Sequence, residues 1–344
     1  MLLFRVFSIP VRFFIALLIY FSWGPLAGGV VTAPVPEFSS PALIPYPSKV
    51  VRGAGEAGFR SVHVKVGPDV PGRDDLMREI KDIFRTSGIQ GSLNSGGAAE
   101  GAMTWELFPD ARMKGEGYDL SVGLGKATVR AGSFGGFFNA LQTLRQLVFN
   151  REGEFAMPVV RISDKPAFVL RGIMLDVGRY YMSPALIKEV MRRLSRYKIN
   201  TLHLHLTDDP AWRLEVKKYP ALTDGAFHWK SRLPGRFYTQ AQLKDLTDYC
   251  ARLNIQVIPE IDMPGHSQPF ARAMKTGMQT EKGVSILKDV VDEAVSLFPG
   301  RFFHMGSDEA HISMKDFIPR MAEHIRGKGK EVVVWSPGGP HDKD

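Results

Sequence analysis

Leu-His-Leu-His-Leu-Thr-Asp-Asp, residues 202–209, alternates leucine with histidine and then breaks into two adjacent carboxylates. Alternation with a period of two is the pattern of a β-strand, whose successive side chains leave on opposite faces. The carboxylates therefore lie where a strand opens into a loop. Four other apolar runs behave alike: Arg171–Asp176, Ile255–Ile261, Arg301–Gly306 and Glu331–Trp335, beside Asn200–Thr207 itself. Each ends in chemistry: Asp176 to Arg179, Asp208-Asp209, Glu260 to His266, Asp308-Glu309 and Trp335.

Helical patterns separate these strands. Ser183-Pro184 is a cap and first-turn pair. It opens a helix with Leu186, Ile187, Val190, Met191 and Leu194 on one stripe. Thr239 begins another in a capping-box pattern, with Leu243, Leu246, Tyr249 and Leu253 inward. Ser285–Phe298 and Met314–Lys328 have the same spacing. Repeated strand–helix alternation means parallel strands with right-handed crossovers, in a β/α barrel or a doubly wound sheet. Polar groups at the ends of many successive strands favour the barrel, whose loops all converge on one mouth. A doubly wound sheet gathers its ligands at one switch point, and no Gly-x-Gly-x-x-Gly turn follows any of these strands.

Upstream of Pro166 the pattern is different. Ser61–Val66 alternates, Asp74–Thr86 has helical spacing, Glu116–Leu124 and Ala127–Ala131 pair as strands, and Phe137–Phe149 reads as a helix. A small α+β domain over residues 40–165 is expected, with no catalytic spacing in it, followed by the barrel domain over 166–344. The Pro-rich Thr32–Pro47 reads as an extended entry strand or linker. Ahead of it, Arg5 and Arg12 precede the apolar run Phe13–Trp23 and then small residues, the layout of a secretory signal peptide over residues 1–27 cleaved near Ala27. That run is short against the ~20 residues of a bilayer span, so no stable membrane span is expected after cleavage and a secreted or periplasmic location is. An uncleaved anchor is the alternative.

The net charge of +8 is spread along the leader and helices, with no basic run interleaved with aromatics, so no nucleic-acid partner is expected. The one cysteine, Cys250, lies on an apolar helix face and reads as core.

Several constellations have two readings. Asp308-Glu309 after a strand is a helix cap, or a general acid shielded beside a second carboxylate that raises its pKa. Arg179 either binds a ligand in its fork or pairs with Asp176. Trp212, Trp229 and Trp335 are core aromatics or sugar-stacking platforms. His203 and His205 share a strand face, so with Asp208, His266 and Asp308 a zinc hydrolase can be sketched, although no His-x-x-x-His helix or cysteine ligands support it.

Taken together the motifs resemble glycoside hydrolase family 20, the β-N-acetylhexosaminidases. Leu-Arg-Gly-Ile-Met-Leu-Asp-Val-Gly-Arg (170–179), residues 202–209, Val-Ile-Pro-Glu-Ile-Asp-Met-Pro-Gly-His (257–266) and His-Met-Gly-Ser-Asp-Glu (304–309) occur in family order. Gly-Tyr-Asp-Leu (117–120) and Leu-Gln-Thr-Leu-Arg-Gln-Leu (141–147) resemble the family's N-terminal α+β domain. The resemblance covers about residues 40–344. It implies exo-acting removal of terminal N-acetylhexosamine from oligosaccharides or glycoconjugates, without cofactor or metal. Glu309 matches the acid/base, Asp308 the carboxylate that orients the substrate's acetamido group, and Asp208 and His266 a relay to Glu309. Arg179 matches the arginine for the terminal sugar's hydroxyls, His205 stands near the pocket, and Trp335 matches the first tryptophan of the acetamido wall. The acetamido oxygen is then the nucleophile and an oxazolinium ion the intermediate.

Two departures stand out. Ser307 occupies a position where the family has glycine. After Trp335 only Ser-Pro-Gly-Gly-Pro-His-Asp-Lys-Asp follows, so the expectation is an incomplete (β/α)8 TIM barrel of about five strands, in a fragment or truncated product. A catalytically inactive, sugar-binding remnant is the alternative function.

Overall fold

The computed structural model describes residues 42–94, 98–151 and 153–335, so the expected signal peptide, Thr32 to Pro41 of the Pro-rich segment and the tail beyond Trp335 lie outside it. Residues 42–47 form no strand. The first domain is a sheet of β1 (Lys49–Phe59), β2 (Ser61–Val66), β3 (Gln90–Leu93), β4 (Ala102–Pro109), β5 (Tyr118–Gly123), β6 (Lys126–Ala131), β7 (Phe149–Arg151) and β8 (Glu154–Asp164). The order is β1-β8-β5-β6-β4-β2-β3, with β7 beside β8. Alternation places Val62, Val64 and Val66 of β2, and Tyr118, Leu120 and Val122 of β5, in the core.

Two helices, α1 (Arg73–Ser87) and α2 (Phe134–Leu147), pack with these strands. Helix α2 starts three residues before the expected Phe137, because the Ser133 hydroxyl caps it by accepting from the Gly136 N–H. Gly136 is required for close approach: a Cβ there would stand 2.5 Å from the Gly117 carbonyl oxygen.

From Gly172 a second sheet begins: β9 (Gly172–Asp176), β10 (Thr201–His205), β13 (Gln256–Glu260), β14 (Phe302–His304) and β15 (Glu331–Val333). All neighbours are parallel, and their spatial order is their chain order. Sequential parallel strands with helical crossovers build a barrel wall, whereas a doubly wound sheet reverses its order at a switch point. These are five strands of a TIM-barrel catalytic domain. The crossovers are α3 (Pro184–Ser195), α4 (Gln240–Ala251), α6 (Glu281–Leu297) and α7 (Phe317–Gly327). A short ribbon of β11 (Thr207–Asp208) and β12 (Ala211–Trp212) follows β10, and α5 (Gln268–Met274) follows β13. Within the described residues β9 and β15 are the sheet edges, and Met174 of β9 is 44% exposed.

Polar contacts join the two domains. Glu116 accepts from Arg171, from Asn200 at 3.1 Å and from Asn254 at 2.8 Å. Buried Lys198 donates to Asp164 and to the Tyr118 hydroxyl, each at 2.9 Å. Glu79 on α1 is 2.6 Å from Arg192 on α3. Cys250 is buried as expected, and burial pushes its thiol up to about 12.

Candidate active site

Residues paired across a parallel sheet point to the same face. The register aligns Asp176, His205, Glu260, His304 and Val333 across the five strands. Leu202 and Leu204, of opposite parity on β10, are fully buried, while His203 and His205 both turn towards Glu260. The alternation of 202–209 thus becomes one aliphatic face and one imidazole face.

Glu260 is completely buried. Its Oε2 is 2.7 Å from His203 Nε2 and 2.8 Å from His205 Nδ1. Its Oε1 accepts from the Trp335 indole N–H at 2.8 Å. Burial opposes ionisation of Glu260, but the surrounding histidines outweigh it and hold the carboxyl far below its ordinary range. His205 Nε2 also bonds Asp208 Oδ2 at 3.0 Å. Burial works against charge on this imidazole, yet its hydrogen bond to Asp208 and the close Glu260 carboxylate raise its pKa to about 10. His203, with Glu260 as its one carboxylate partner, is lowered by burial.

Above this layer, Asp208 meets Arg179 and His266. Arg179 Nη2 is 2.8 Å from Asp208 Oδ2, and Nη1 is 2.8 Å from Asp176 Oδ2. Arg179 pairs with Asp176, as one reading expected, and also with Asp208, and its side chain remains 41% exposed. Burial would raise the Asp208 carboxyl, but His205, Arg179 and His266 leave it lowered. His266 Nδ1 is 3.6 Å from Asp208 Oδ1, and its Nε2 is 3.2 Å from Glu309 Oε2. Asp208, His266 and Glu309 therefore form one string of contacts across three loops.

The loop after β14 carries Asp308 and Glu309. Gly306, Ser307 and Glu309 have φ of 66°, 83° and 50°, and His266 opposite has 44°. Non-glycine residues in this region store strain. That accounts for the glycine the resemblance implies at the position of Ser307, whose hydroxyl here lies 3.2 and 3.3 Å from the Met263 and Met305 carbonyls. Burial and the charges of Glu309 and Glu260 raise the Asp308 carboxyl. The shielding expected of Glu309 is not found, since its side chain is 71% exposed among the described residues. It sits in an irregular loop at the rim, and the buried acid nearby is Asp262, 1% exposed, which burial and Glu260 push up to about 7.

The residues sketched as a zinc-hydrolase alternative do not gather at one point. His203 and His205 meet at Glu260, whereas His266 lies with Asp208, Asp209 and Glu309. Of the tryptophans, Trp212 is core, Trp229 is 39% exposed, and Trp335 packs its ring against His203 and His304 at 5.3 and 4.6 Å between centroids. Glu260, Asp262 and His304 were absent from the residues expected at the site. The signal for them was the inward parity of His203 and His205, which parallel register carries to Glu260 and His304.

A sheet of successive parallel strands with carboxylates, imidazoles and an arginine at its C-terminal mouth defines a TIM-barrel hydrolase site. Residues 168–282 match the glycosyl hydrolase family 20 catalytic domain, and residues 40–165 match domain 2 of the same family. The chain belongs to glycosyl hydrolase family 20. It is 37% identical over 231 residues to a beta-hexosaminidase of Porphyromonas gingivalis, covering 57% of this chain and 29% of that protein. It is 31% identical over 266 residues to a beta-N-acetylhexosaminidase of Cellulomonas fimi, covering 70% of this chain and 54% of that one. Among solved structures, the Streptomyces plicatus N-acetyl-beta-hexosaminidase in complex with thio-NAglucal superposes with a TM-score of 0.75 at 28% identity, covering 85% of this chain and 65% of that one. The chain thus spans less than two thirds of each of these relatives.

Proposed function

We propose that this chain carries the machinery of an exo-acting β-N-acetylhexosaminidase, acting on terminal N-acetylhexosamine of oligosaccharides or glycoconjugates. The observation that carries the reading is the contact string Asp208–His266–Glu309 with Asp308 beside it. Glu309 protonates the leaving oxygen, and His266 and Asp208 set its proton affinity. Asp308 accepts the acetamido N–H and aims the acetamido oxygen at the anomeric carbon. An intramolecular nucleophile held in near-attack geometry removes much of the entropic barrier, so a second enzymatic nucleophile is unnecessary. Arg179, already braced by Asp176 and Asp208, presents its exposed edge to the terminal sugar's hydroxyls. In agreement, a Streptomyces plicatus beta-hexosaminidase variant, 30% identical to this chain, has been solved in complex with the product N-acetylglucosamine.

The test is release of a chromophore from a β-N-acetylglucosaminide, by the 344-residue chain and by a form extended to eight barrel strands. Glu309→Gln is expected to lower kcat by about 10²–10⁴. Because Glu309 is 71% exposed here, the extended form is expected to turn over faster. Silence of both forms with the fold intact would overturn the assignment. We also propose a secreted or periplasmic location, on the strength of Arg5 and Arg12 preceding Phe13–Trp23. Among the described residues no helix is long and apolar enough to cross a membrane.

A further inference from the structure

We propose that Glu260 is a positioning residue that joins the two walls of the site, holding Asp208 through His205 and the Trp335 indole directly. The inference rests on the hexosaminidase reading for its effect on turnover, though not for its geometry.

A carboxylate with no solvent exposure is expensive to ionise unless its partners compensate. Glu260 is fully buried and its two oxygens serve different neighbours. Oε2 faces His203 and His205, while Oε1 takes the Trp335 N–H and has His304 Nδ1 at 3.2 Å. His205 then has a carboxylate on each ring nitrogen, at 2.8 and 3.0 Å. Carboxylates facing both ring nitrogens favour the doubly protonated imidazole, and its hydrogen bond to Asp208 orients the ring. Its second carboxylate is Asp208, which also contacts Arg179 and His266. A string of charge therefore runs from Glu260 through His205 to Asp208, and on through His266 to Glu309.

The other oxygen fixes the opposite wall. The Trp335 ring lies against His203 and His304, and its N–H to Glu260 sets which edge faces inward. The Trp335 backbone N–H donates to the Gly306 carbonyl at 3.0 Å, tying this wall to the loop of Asp308 and Glu309. His304, Asp176, Asp262 and Asp308 are the other titratable groups facing His205 and Glu260. Glu260 meets both walls, at His205 Nδ1 and at the Trp335 indole N–H.

The measurement uses the full chain labelled with ¹⁵N-histidine and ¹⁵N-tryptophan. In the parent, His205 is expected to remain doubly protonated through pH 8, with a downfield Trp335 indole N–H. In Glu260→Gln, His205 should pass to a neutral tautomer at least one pH unit lower, and the indole resonance should move with it. Turnover of the N-acetylglucosaminide should fall about 10–100-fold in kcat, with a displaced acid limb of the pH profile and partial rescue by Glu260→Asp. A lower kcat without a change at His205 would overturn the proposal. So would a neutral His205 in the parent at pH 7, a result that needs no variant to fold. Stoichiometric Zn²⁺ shifting His203 and His304 together would also overturn it, since those rings and Glu260 would then hold a cation. If the parent is inactive in both lengths while the resonances behave as stated, the hexosaminidase reading fails and the positioning role stands.

Discussion

At the scale of single residues, the site is made from positions that resist change for different reasons. Gly306 has no room for a side chain, because a Cβ would fall 1.8 Å from Asp262 Oδ1. Asp262 itself is buried beside the negative Glu260, which keeps its carboxyl protonated up to about pH 7. The folded state holds this proton between about pH 4 and 7 while the unfolded chain releases it. Stability is therefore lost as pH rises through that window. Asp262→Asn removes the loss. Its stability should match the parent near pH 4 and exceed it at pH 8, by on the order of 2–4 kcal/mol. Thermal unfolding at both pH values checks this, and a constant difference would refute it. Glu260 and Asp262 were not singled out because the run Ile255–Ile261 and the loop after it do not by themselves say which way a carboxylate points. Only the strand register reveals that one of them faces three imidazoles.

At the scale of elements, legibility followed the range of the interactions. Strand β2 was read with its observed bounds, since Val62, Val64 and Val66 alternate without interruption. The capping box of α4 was equally plain, and both its bonds form, at 3.0 and 3.1 Å. Thr239→Ala is expected to cost about 1 kcal/mol in denaturant unfolding. Strands β1 and β8 escaped notice for a physical reason. Gly53, Gly55 and Gly58 interrupt the pattern of β1, and its register with β8 shifts between Arg52 and Glu56. Such a strand is defined by its partner more than by its own side chains. Strand β4 lies between β2 and β6, far from both in sequence, so no local turn announced it. The barrel strands were legible because each is a short strand-like run set off by helical patterns, and the loops after them carried the chemistry.

At the scale of the molecule, buried and half-buried ion pairs join the two domains. Glu79, with a side chain 3% exposed, contacts Arg145 within its own domain and Arg192 of the barrel. Glu79→Ala leaves Asp82 as the remaining acid for both arginines. We expect it to cost about 3 kcal/mol, because two largely buried arginines would then share one carboxylate. Calorimetry should show a single transition moved down in temperature, and two separated transitions would refute the coupling of the domains. The contacts of Lys198, Glu116 and Glu79 also bear on transplantation. A barrel half expressed alone would carry Arg171, Arg192 and Lys198 stripped of their acids, and would behave as a sticky cation. A graft of another small domain would succeed only if it brought acids to the places of Glu79, Glu116 and Asp164. The first domain is thus less a handle than the counter-ion of the second.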